Sequence, residues 1–516
     1  MINVVLYSPP IAAPHPQVGI GNSVYVPTIL PLFETYYHEF GAHPSLVNWA
    51  LPYIHYEESL HRVIHNIIAV NPTVLGIGRY IWNEHTVDRV AKAVKEACPD
   101  VIIISGGPHQ DVTFSESPFA ARQYVDAIVE PGTYGEVFIA DLLDQLCTTG
   151  SIDWNNVRGA IYNKKSIAFR AKAQFNPREF VWPTSNPYER HKNYFIQVAK
   201  MFKDPFVAYE TSRGCPYSCS FCEWGVNAFQ KLNNKPTDIV INELTSLVDV
   251  INQFYFTDAN YGQTKRDIEI LSKLESALQR QKLSPAYLRF AGFAKNKKEH
   301  LIALYQLLQN SQYLFWSQTK IDIVAVQDFN DSVKHLNSRT DLPLDQLLSF
   351  RSELVAMGKN PSAQLIVGLY GQSIETHYNN IKILIDHFEQ PNGILFAPLA
   401  VLPDTPAADP QLLNKHKAKI RTISVFNVEY QSIVESDTYS FLDYIEMILT
   451  YKLLSVLFKL QIKISSIEVF NHWWKQVKPE LFDVYKEAWY QFNNNLVIDL
   501  NFDSAIHIFL KIIKNN

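Results

Sequence analysis

The chain has 516 residues, of which 47% are hydrophobic and 19% charged, and 46 Lys and Arg against 51 Asp and Glu give a net charge of −5. This balance excludes a disordered or fibrous protein, and the length permits about three domains. The lack of a basic excess argues against a nucleic-acid partner. No basic residue precedes the first apolar run, and charged residues interrupt the longest one (441–470), so we expect a soluble, cytoplasmic protein without a membrane span.

Residues 1–147 alternate short apolar runs with helical patterns such as His85–Ala97, which predicts an α/β domain with a parallel sheet. In such sheets ligands bind beyond the carboxyl ends of the strands. Gly106 and Gly107 lie there and would let a ligand approach the backbone, although a plain tight turn explains the pair equally well. The predicted strands are Val4–Tyr7, Ser45–Trp49, Val74–Gly78, Val101–Ser105 and Ala127–Val129.

Residues 148–204 carry several prolines and predict a linker that contains a hairpin at Gly159–Arg170. Residues 205–413 resume the alternation with longer units, and residues 414–516 predict a mostly helical region rich in aromatic side chains. Six strand–helix units are fewer than the eight of a closed barrel, so 205–413 predicts a partial barrel with functional residues after its strands. Its predicted strands are Phe206–Thr211, Gln253–Thr257, Tyr287–Phe293, Tyr313–Ser317, Gln364–Leu369 and Ile394–Leu399.

Three of the five cysteines, Cys215, Cys219 and Cys222, lie within eight residues directly after the first of these strands, in TSRGCPYSCSFCEWG. Cys98 and Cys147 stand alone in helical patterns and predict ordinary buried thiols. Thiolates are soft ligands that suit iron–sulfur clusters and zinc. No neighbouring Cys or His completes a structural zinc site. Three thiolates on a four-iron cluster would leave one iron open to another ligand.

The C-x3-C-x2-C spacing, with Phe221 before the last cysteine, resembles the radical S-adenosylmethionine (radical SAM) enzymes, as does its place after the first barrel strand. The resemblance implies that the open iron of a 4Fe-4S cluster binds S-adenosylmethionine (SAM). One electron then splits the sulfonium and leaves a 5′-deoxyadenosyl radical. The resemblance also implies an electron donor of the flavodoxin or ferredoxin type. The cofactors carry this chemistry, whereas the protein binds and orients them.

Further stretches resemble the same family. FYFTDANYG (254–262) ends the second strand, where an acidic or amide oxygen can accept from the methionyl ammonium. Gly368–Gly371 resembles the start of Gly-Leu-Pro-Gly-Glu-Thr, but Tyr370 replaces the proline and three residues intervene, which leaves the role of Glu375 open. Leu402–Pro406 resembles Leu-Pro-x-Thr-Pro. Taken singly, each could be a turn or a helix cap. The SAM-binding residues implied are Phe221, Asp258, Asn260, Gly262, Ser317, Gln318 and Gly368.

The N-terminal region resembles the flavodoxin-like (Rossmann-like) cobalamin-binding domain of one radical SAM subclass. The motifs concerned are Pro9-Pro10, Tyr80-Ile81-Trp82-Asn83, Gly106-Gly107 and Gly132–Glu136. The motif Asp-x-His-x-x-Gly is absent, and His15 lacks its context, so we expect a cobalt without a protein imidazole below it. The cobalamin-binding residues implied are Gly78, Arg79, Tyr80, Trp82, Gly106, Gly107, Pro108 and Glu136.

The leading hypothesis is a cobalamin-dependent radical SAM enzyme that methylates a carbon atom of a small molecule or peptide. No residue is assigned as the catalyst of the transfer itself. A second hypothesis keeps the cofactors but replaces methyl transfer by cyclisation or rearrangement, and a third leaves the N-terminal domain without cobalamin. From a different class, a zinc-stabilised binding protein stays open, because three cysteines also suit zinc.

Overall fold

The computed structural model describes residues 1–9, 24–57, 59–115, 117–120, 122–164, 167–225, 232–291, 298–316, 323–359, 361–389, 393–425 and 428–515. The chain divides into two compact units. The first unit comprises Met1–Pro216, Glu223–Ala291 and Leu304–Ser317. The second unit comprises Tyr217–Cys222, Gly292–Ala303 and Gln318–Asn516.

The first part of the chain supplies fourteen of the described strands and nine of the described helices. The strands are β1 (Ile2–Tyr7), β2 (Val24–Val26), β3 (Val47–Ala50), β4 (Val74–Gly78), β5 (Ile102–Gly106), β6 (Ala127–Val129), β7 (Ala160–Lys164), β8 (Ile167–Arg170), β9 (Pro205–Tyr209), β10 (Ser212–Arg213), β11 (Asn233–Asn234), β12 (Gln253–Phe256), β13 (Ala286–Phe290) and β14 (Leu314–Trp316). The helices are α1 (Ile29–Phe40), α2 (Leu60–Val70), α3 (Glu84–Ala97), α4 (Gly135–Thr149), α5 (Pro187–Arg190), α6 (Lys192–Met201), α7 (Thr237–Leu247), α8 (Lys265–Gln281) and α9 (Lys298–Asn310).

The N-terminal sheet has the order β3-β1-β4-β5-β6-β7-β8. Strands β1 and β3 to β6 pair in parallel, and β7 and β8 add the predicted hairpin in antiparallel register. Val4 and Leu6 of β1 belong to one apolar core, and Val5 and Tyr7 belong to another. Both faces are therefore covered, which explains why its parallel strands are almost wholly apolar. The strand order reverses at β1, so the carboxyl ends of β1 and β4 form the place where such sheets bind ligands.

A second parallel sheet of the first unit has the order β14-β13-β12-β9-β2. Strands β9, β12, β13 and β14 are the first four strands that the sequence predicts for the partial barrel, whereas β2 was not predicted. A short antiparallel pair, β10 with β11, follows β9. Strand β10 ends two residues before Cys215, so backbone pairing directs the start of the cysteine segment.

The second unit contains β15 (Ile323–Gln327), β16 (Ser362–Val367), β17 (Ile394–Pro398), β18 (Lys419–Val425), β19 (Val428–Glu435) and β20 (Ile498–Asp499). Its helices are α10 (Asp331–Leu336), α11 (Leu344–Ala356), α12 (Ile374–Phe388), α13 (Pro410–Lys415), α14 (Phe441–Lys459), α15 (Ile467–Val477), α16 (Phe482–Asn493) and α17 (Asp503–Asn515). Strands β15, β16 and β17 form a parallel sheet, and β19, β18 and β20 form another sheet. Strands β16 and β17 match the last two predicted barrel strands, whereas β15, β18, β19 and β20 were not predicted.

Helix α14 is the centre of the second unit's core. Its residues are apolar nearly all round, and such a helix is stable only when it is enclosed. Leu449, Leu453 and Leu454 are fully buried, for example. Ser440 and Asp443 form a capping box that fixes where the helix begins. Within the described ranges, no helix has the length and apolar character that crossing a membrane requires.

Candidate active site

The cysteine segment begins in the first unit with Cys215 and continues in the second with Cys219 and Cys222. Cys215 and Cys219 are buried, and Cys222 is partly buried. All five cysteines of the chain are described, and none of them forms a disulfide bond. Within the described ranges, no group of three or more His, Cys, Asp or Glu side chains is arranged to hold a single metal ion.

Ser220, between the last two cysteines, is anchored within the second unit. Its backbone N–H donates to the Asn337 carbonyl oxygen at 3.0 Å, and its carbonyl oxygen accepts from the Ala407 N–H at 2.8 Å. Asn337 is itself buried and donates through Nδ2 to the carbonyl oxygens of Val333 and Tyr370. The adjacent Phe221 ring lies 6.0 Å from the Arg339 guanidinium. These bonds fix the backbone that carries Cys219 and Cys222.

Asp258, at the end of β12, is buried and fully engaged with the segment after β9. It accepts hydrogen bonds from the Thr211 N–H at 3.1 Å, from the Thr211 hydroxyl at 2.7 Å and from the Ser212 hydroxyl at 2.7 Å. Burial raises the pKa of Asp258 to about 6 although these bonds oppose the shift. Asp258 therefore ties two strand ends together, and its predicted contact with SAM stays a prediction.

Asn260, two residues further on, contacts Cys215 directly. Its Nδ2 donates to the Cys215 Sγ at 2.9 Å. Its Oδ1 is buried and has no hydrogen-bond partner among the described residues. A buried amide oxygen without a partner is costly, which makes it a candidate acceptor for a ligand. The predicted residue Gly262 follows in a left-handed conformation (φ +87°), and its N–H donates to Asp267 at the start of α8.

Arg213, the last residue of β10, is held in a buried cage. Its guanidinium donates to both carboxylate oxygens of Glu136, at 2.7 and 3.2 Å, and to Glu210 at 3.0 Å. The ring centroids of Tyr134 and Trp182 each lie 4.8 Å from the guanidinium carbon, which adds cation–π attraction. Glu136 was predicted to contact cobalamin; the structure uses both of its carboxylate oxygens to fix the residue two positions before Cys215.

In the second unit, a similar polar group follows β15. Gln327 is buried in a left-handed conformation (φ +67°), and its Oε1 has no hydrogen-bond partner among the described residues. Asp328 is fully buried and accepts from Asn330 N–H, Gln372 Nε2 and Asn380 Nδ2 at 2.7 to 3.0 Å. Burial raises the pKa of Asp328 to about 6. Strain at a strand end combined with an unsatisfied amide oxygen marks Gln327 as a candidate ligand contact that sequence analysis missed.

Gly368, a predicted SAM-binding residue, is organised by the same network. The Oε1 of Gln372 accepts from the Gly368 N–H at 2.8 Å and from the Leu369 N–H at 3.1 Å. Gly368 has φ +103°, and a Cβ there would lie 2.8 Å from the Ile433 carbonyl oxygen, so only glycine fits. The insertion that separates this sequence from Gly-Leu-Pro-Gly-Glu-Thr thus supplies Gln372, which supports the turn. Ser317 and Gln318 lie outside the described residues.

The predicted cobalamin-binding residues stand at the carboxyl ends of β4 and β5. Arg79 was expected beneath a cofactor or at the surface, but it is buried, and its guanidinium pairs with Glu84 and Asp88 of α3. Burial rules out the surface alternative, whereas the predicted contact of Arg79 with cobalamin stays a prediction. Gly107 has φ +93°, and a Cβ there would lie 2.6 Å from the Arg79 carbonyl oxygen. The backbone itself therefore requires this glycine.

The neighbouring predicted residues leave part of this edge accessible. The rings of Tyr80 and Trp82 stack with centroids 4.6 Å apart, and Trp82 remains 42% exposed. Gly107 is exposed, and Gly106 and Pro108 are partly exposed. Gly78 is buried, and a Cβ there would lie 2.7 Å from the Ser8 Oγ. A partly exposed aromatic pair beside a glycine turn suits a large flat ligand.

No protein-family model matches the chain. The cobalamin-dependent radical SAM methyltransferase TokK of Streptomyces tokunonensis is 24% identical over 405 residues, 77% of this chain and 57% of TokK. The 2-(S-pantetheinyl)-carbapenam-3-carboxylate methyltransferase of Streptantibioticus cattleyicolor is 24% identical over 344 residues, 66% of this chain and 49% of that protein. The chain thus spans about half the length of these curated relatives.

Two solved structures share the fold. The radical SAM methyltransferase TsrM from Kitasatospora setae, with tryptophan and a SAM analogue bound, has a TM-score of 0.57 at 16% identity, covering 82% of this chain and 79% of TsrM. The cobalamin-dependent SAM radical enzyme OxsB, with aqua-cobalamin and SAM bound, has a TM-score of 0.64 at 12% identity, covering 100% of this chain and 79% of OxsB. The likeness confirms the predicted α/β fold class. By sequence and by fold, the chain is therefore similar to cobalamin-dependent radical SAM enzymes.

Proposed function

We propose that this chain cleaves SAM reductively and methylates a carbon atom of a small molecule with the help of cobalamin. The observation that carries the proposal is the C-x3-C-x2-C segment, whose buried Cys215 accepts a hydrogen bond from Asn260. An N–H donor directed at this sulfur would stabilise its thiolate, which is the form that binds iron. The relatives TokK and TsrM, both named as radical SAM methyltransferases, support this choice over rearrangement.

Cys215, Cys219 and Cys222 would hold a 4Fe-4S cluster, because three thiolates leave one iron for SAM. When bound, the cluster supplies the single electron that splits the sulfonium. The protein's own part is to hold the thiolates and to orient SAM. We assign the orienting role to the unpaired amide oxygens of Asn260 and Gln327, which can accept from the ammonium and hydroxyl groups of SAM. Gly262 and Gly368 would act by setting the left-handed turns that follow β12 and β16.

Cobalamin would lie at the carboxyl ends of β4 and β5. The exposed Gly106-Gly107-Pro108 turn and the stacked Tyr80 and Trp82 fit a flat macrocycle with an extended tail. When bound, cobalamin carries the methyl group. Arg79 and Glu136 would act indirectly: Arg79 supports the Gly107 turn through its backbone, and Glu136 fixes Arg213. The chain is proposed to provide no histidine ligand to the cobalt.

The substrate class proposed is a small molecule. The relative from Streptantibioticus cattleyicolor is named for a carbapenam carboxylate, and TsrM was solved with tryptophan. A flavodoxin or ferredoxin would supply electrons, and we expect no nucleic-acid partner, because the net charge is −5. We expect the protein to act in the cytoplasm, where a reducing environment preserves thiolates.

The test is anaerobic reconstitution with iron, sulfide and cobalamin, followed by incubation with methyl-labelled SAM, a reductant and a panel of small-molecule acceptors. We expect 5′-deoxyadenosine and one product that contains the label. 5′-Deoxyadenosine with an unlabelled, isomerised product would replace methyl transfer by rearrangement. Zinc instead of iron and sulfide in protein purified without oxygen would refute the enzyme proposal altogether.

A further inference from the structure

The side-chain amide of Asn260 contacts a proposed cluster ligand through its nitrogen, while its oxygen has no partner among the described residues. Its Nδ2 lies 2.9 Å from the Cys215 Sγ, and its Oδ1 is buried without a partner among the described residues. A thiolate bound to iron can only accept hydrogen bonds, so the NH2 group is the end of the amide that a cluster ligand requires. The oxygen is then left for a donor outside the protein.

The position of this amide is strongly determined. Asp258, two residues earlier, is fixed by Thr211 and Ser212, and Gly262, two residues later, is fixed by Asp267. Thr211 and Ser212 themselves belong to the segment that leads to Cys215. The donor and the sulfur are therefore held by the same set of bonds, which a chance contact between loops would not show.

We propose that Asn260 is a positioning residue that raises the reduction potential of the cluster through its N–H···S bond to Cys215, and raises it further when SAM binds. This inference rests on the proposed function. One-electron reduction adds negative charge, part of which falls on the cysteine sulfurs, and an N–H dipole stabilises that charge. A SAM ammonium that donates to Oδ1 polarises the amide and strengthens its N–H donor. Substrate binding and electron acceptance would then be coupled.

The test is a redox titration of the cluster, followed by electron paramagnetic resonance, with and without SAM. Asn260→Ala removes both ends of the amide, and Asn260→Asp replaces the donor by an acceptor. We expect a more negative midpoint potential in both variants, with the larger shift in Asn260→Asp. We also expect the rise in potential that SAM causes in the wild-type protein to fall by at least half.

The matched control is Asn252→Ala, at the other end of β12. Asn252 also donates through Nδ2, but to the Pro285 carbonyl oxygen at 3.2 Å. This control should keep the wild-type potential and iron content. Wild-type potentials in iron-loaded Asn260 variants would overturn the inference, as would loss of the cluster from both Asn260 variants while Asn252→Ala retains it, because the amide would then be only a structural tie. Absence of a cluster from the wild-type protein would instead refute the proposed function.

Discussion

The ends of β12 in the first unit and of β15 in the second unit repeat one arrangement with a difference. At each end a buried acid, Asp258 or Asp328, accepts three hydrogen bonds, and burial raises its pKa to about 6. Beside each acid an amide, Asn260 or Gln327, keeps a buried oxygen without a partner among the described residues. The acids hold the loops, and the amides are left for ligands.

The two amides differ in what holds them. Asn260 is fixed by its bond to the Cys215 sulfur, whereas Gln327 is held in a left-handed backbone conformation by its surroundings. Asn260 therefore contacts a proposed cluster ligand, whereas the strained conformation of Gln327 is maintained only by the surrounding fold. Removing either amide should therefore impair SAM binding, but only the first should alter the cluster.

The largest effect is expected from the cysteines. Cys219→Ala should abolish the brown cluster colour and the cleavage of SAM, because two thiolates cannot replace three. Iron and sulfide analysis and measurement of 5′-deoxyadenosine check this. The matched control is Cys98→Ala, which should retain both. A fully active Cys219→Ala variant would refute the cluster assignment.

Removing either acid should destabilise its own unit. Asp258→Ala and Asp328→Ala each leave three donors without an acceptor, and each unsatisfied buried donor costs about 1–3 kcal/mol, so we expect a loss of at least about 3 kcal/mol per variant. Denaturant unfolding of the cluster-free protein measures it. Asp238→Ala, whose side chain is 97% exposed, is the control and should change stability by less than about 0.5 kcal/mol. Wild-type stability of either acid variant would show that its bonds do not hold the loop.

Stability should also depend on pH through Asp328. Its pKa is about 6 in the folded chain against 3.8 for the ordinary group, so the folded state binds more protons between these values. The stabilisation due to this group is complete below pH 3.8 and is lost as the pH rises through 6, by up to about 1.4 kcal/mol per pH unit. Burial lowers the pKa of His377 to about 3, so the contribution of His377 to stability rises with pH. The measurement therefore compares wild-type protein with Asp328→Asn, because the contribution of His377 is present in both and cancels. A stability difference that does not change with pH would contradict the assignment.

The smallest effect on stability is expected from Gln327→Gly. Glycine relieves the left-handed strain, and this gain offsets the lost packing, so stability should change by less than about 1 kcal/mol. SAM binding by the cluster-loaded protein should nevertheless weaken about tenfold, a loss of about 1.4 kcal/mol. Equilibrium dialysis with labelled SAM measures it. Gln461→Gly, at another left-handed glutamine, is the control and should leave SAM binding unchanged.

Much of the fold could be predicted because the parallel strands are nearly continuous apolar runs. Ala127–Val129 and Val74–Gly78 match the predicted strands residue for residue. Strand β15 was missed because it begins only seven residues after Leu314–Trp316, a shorter interval than the strand–helix units on which the prediction relied. Its apolar residues Ile323 to Val326 were the signal that could have found it.

The roles within the site were harder to predict. The contact of Asp258 with SAM stays a prediction, and the sequence gives no sign that its oxygens also accept from Thr211 and Ser212, which lie 47 and 46 residues away in the chain. The pairing of Arg213 with Glu136 spans 77 residues and was equally hidden. Sequence motifs identify which loops carry the chemistry, whereas long-range hydrogen bonds decide which atoms remain available.

The most direct test of the central claim is electron paramagnetic resonance of the reconstituted, reduced protein before and after addition of SAM. Three cysteine ligands and one open iron predict a 4Fe-4S signal that changes when SAM binds, and that change should be weaker in Asn260→Ala. A cluster signal that SAM leaves unaltered, or reduced protein that contains no such cluster, would contradict the account.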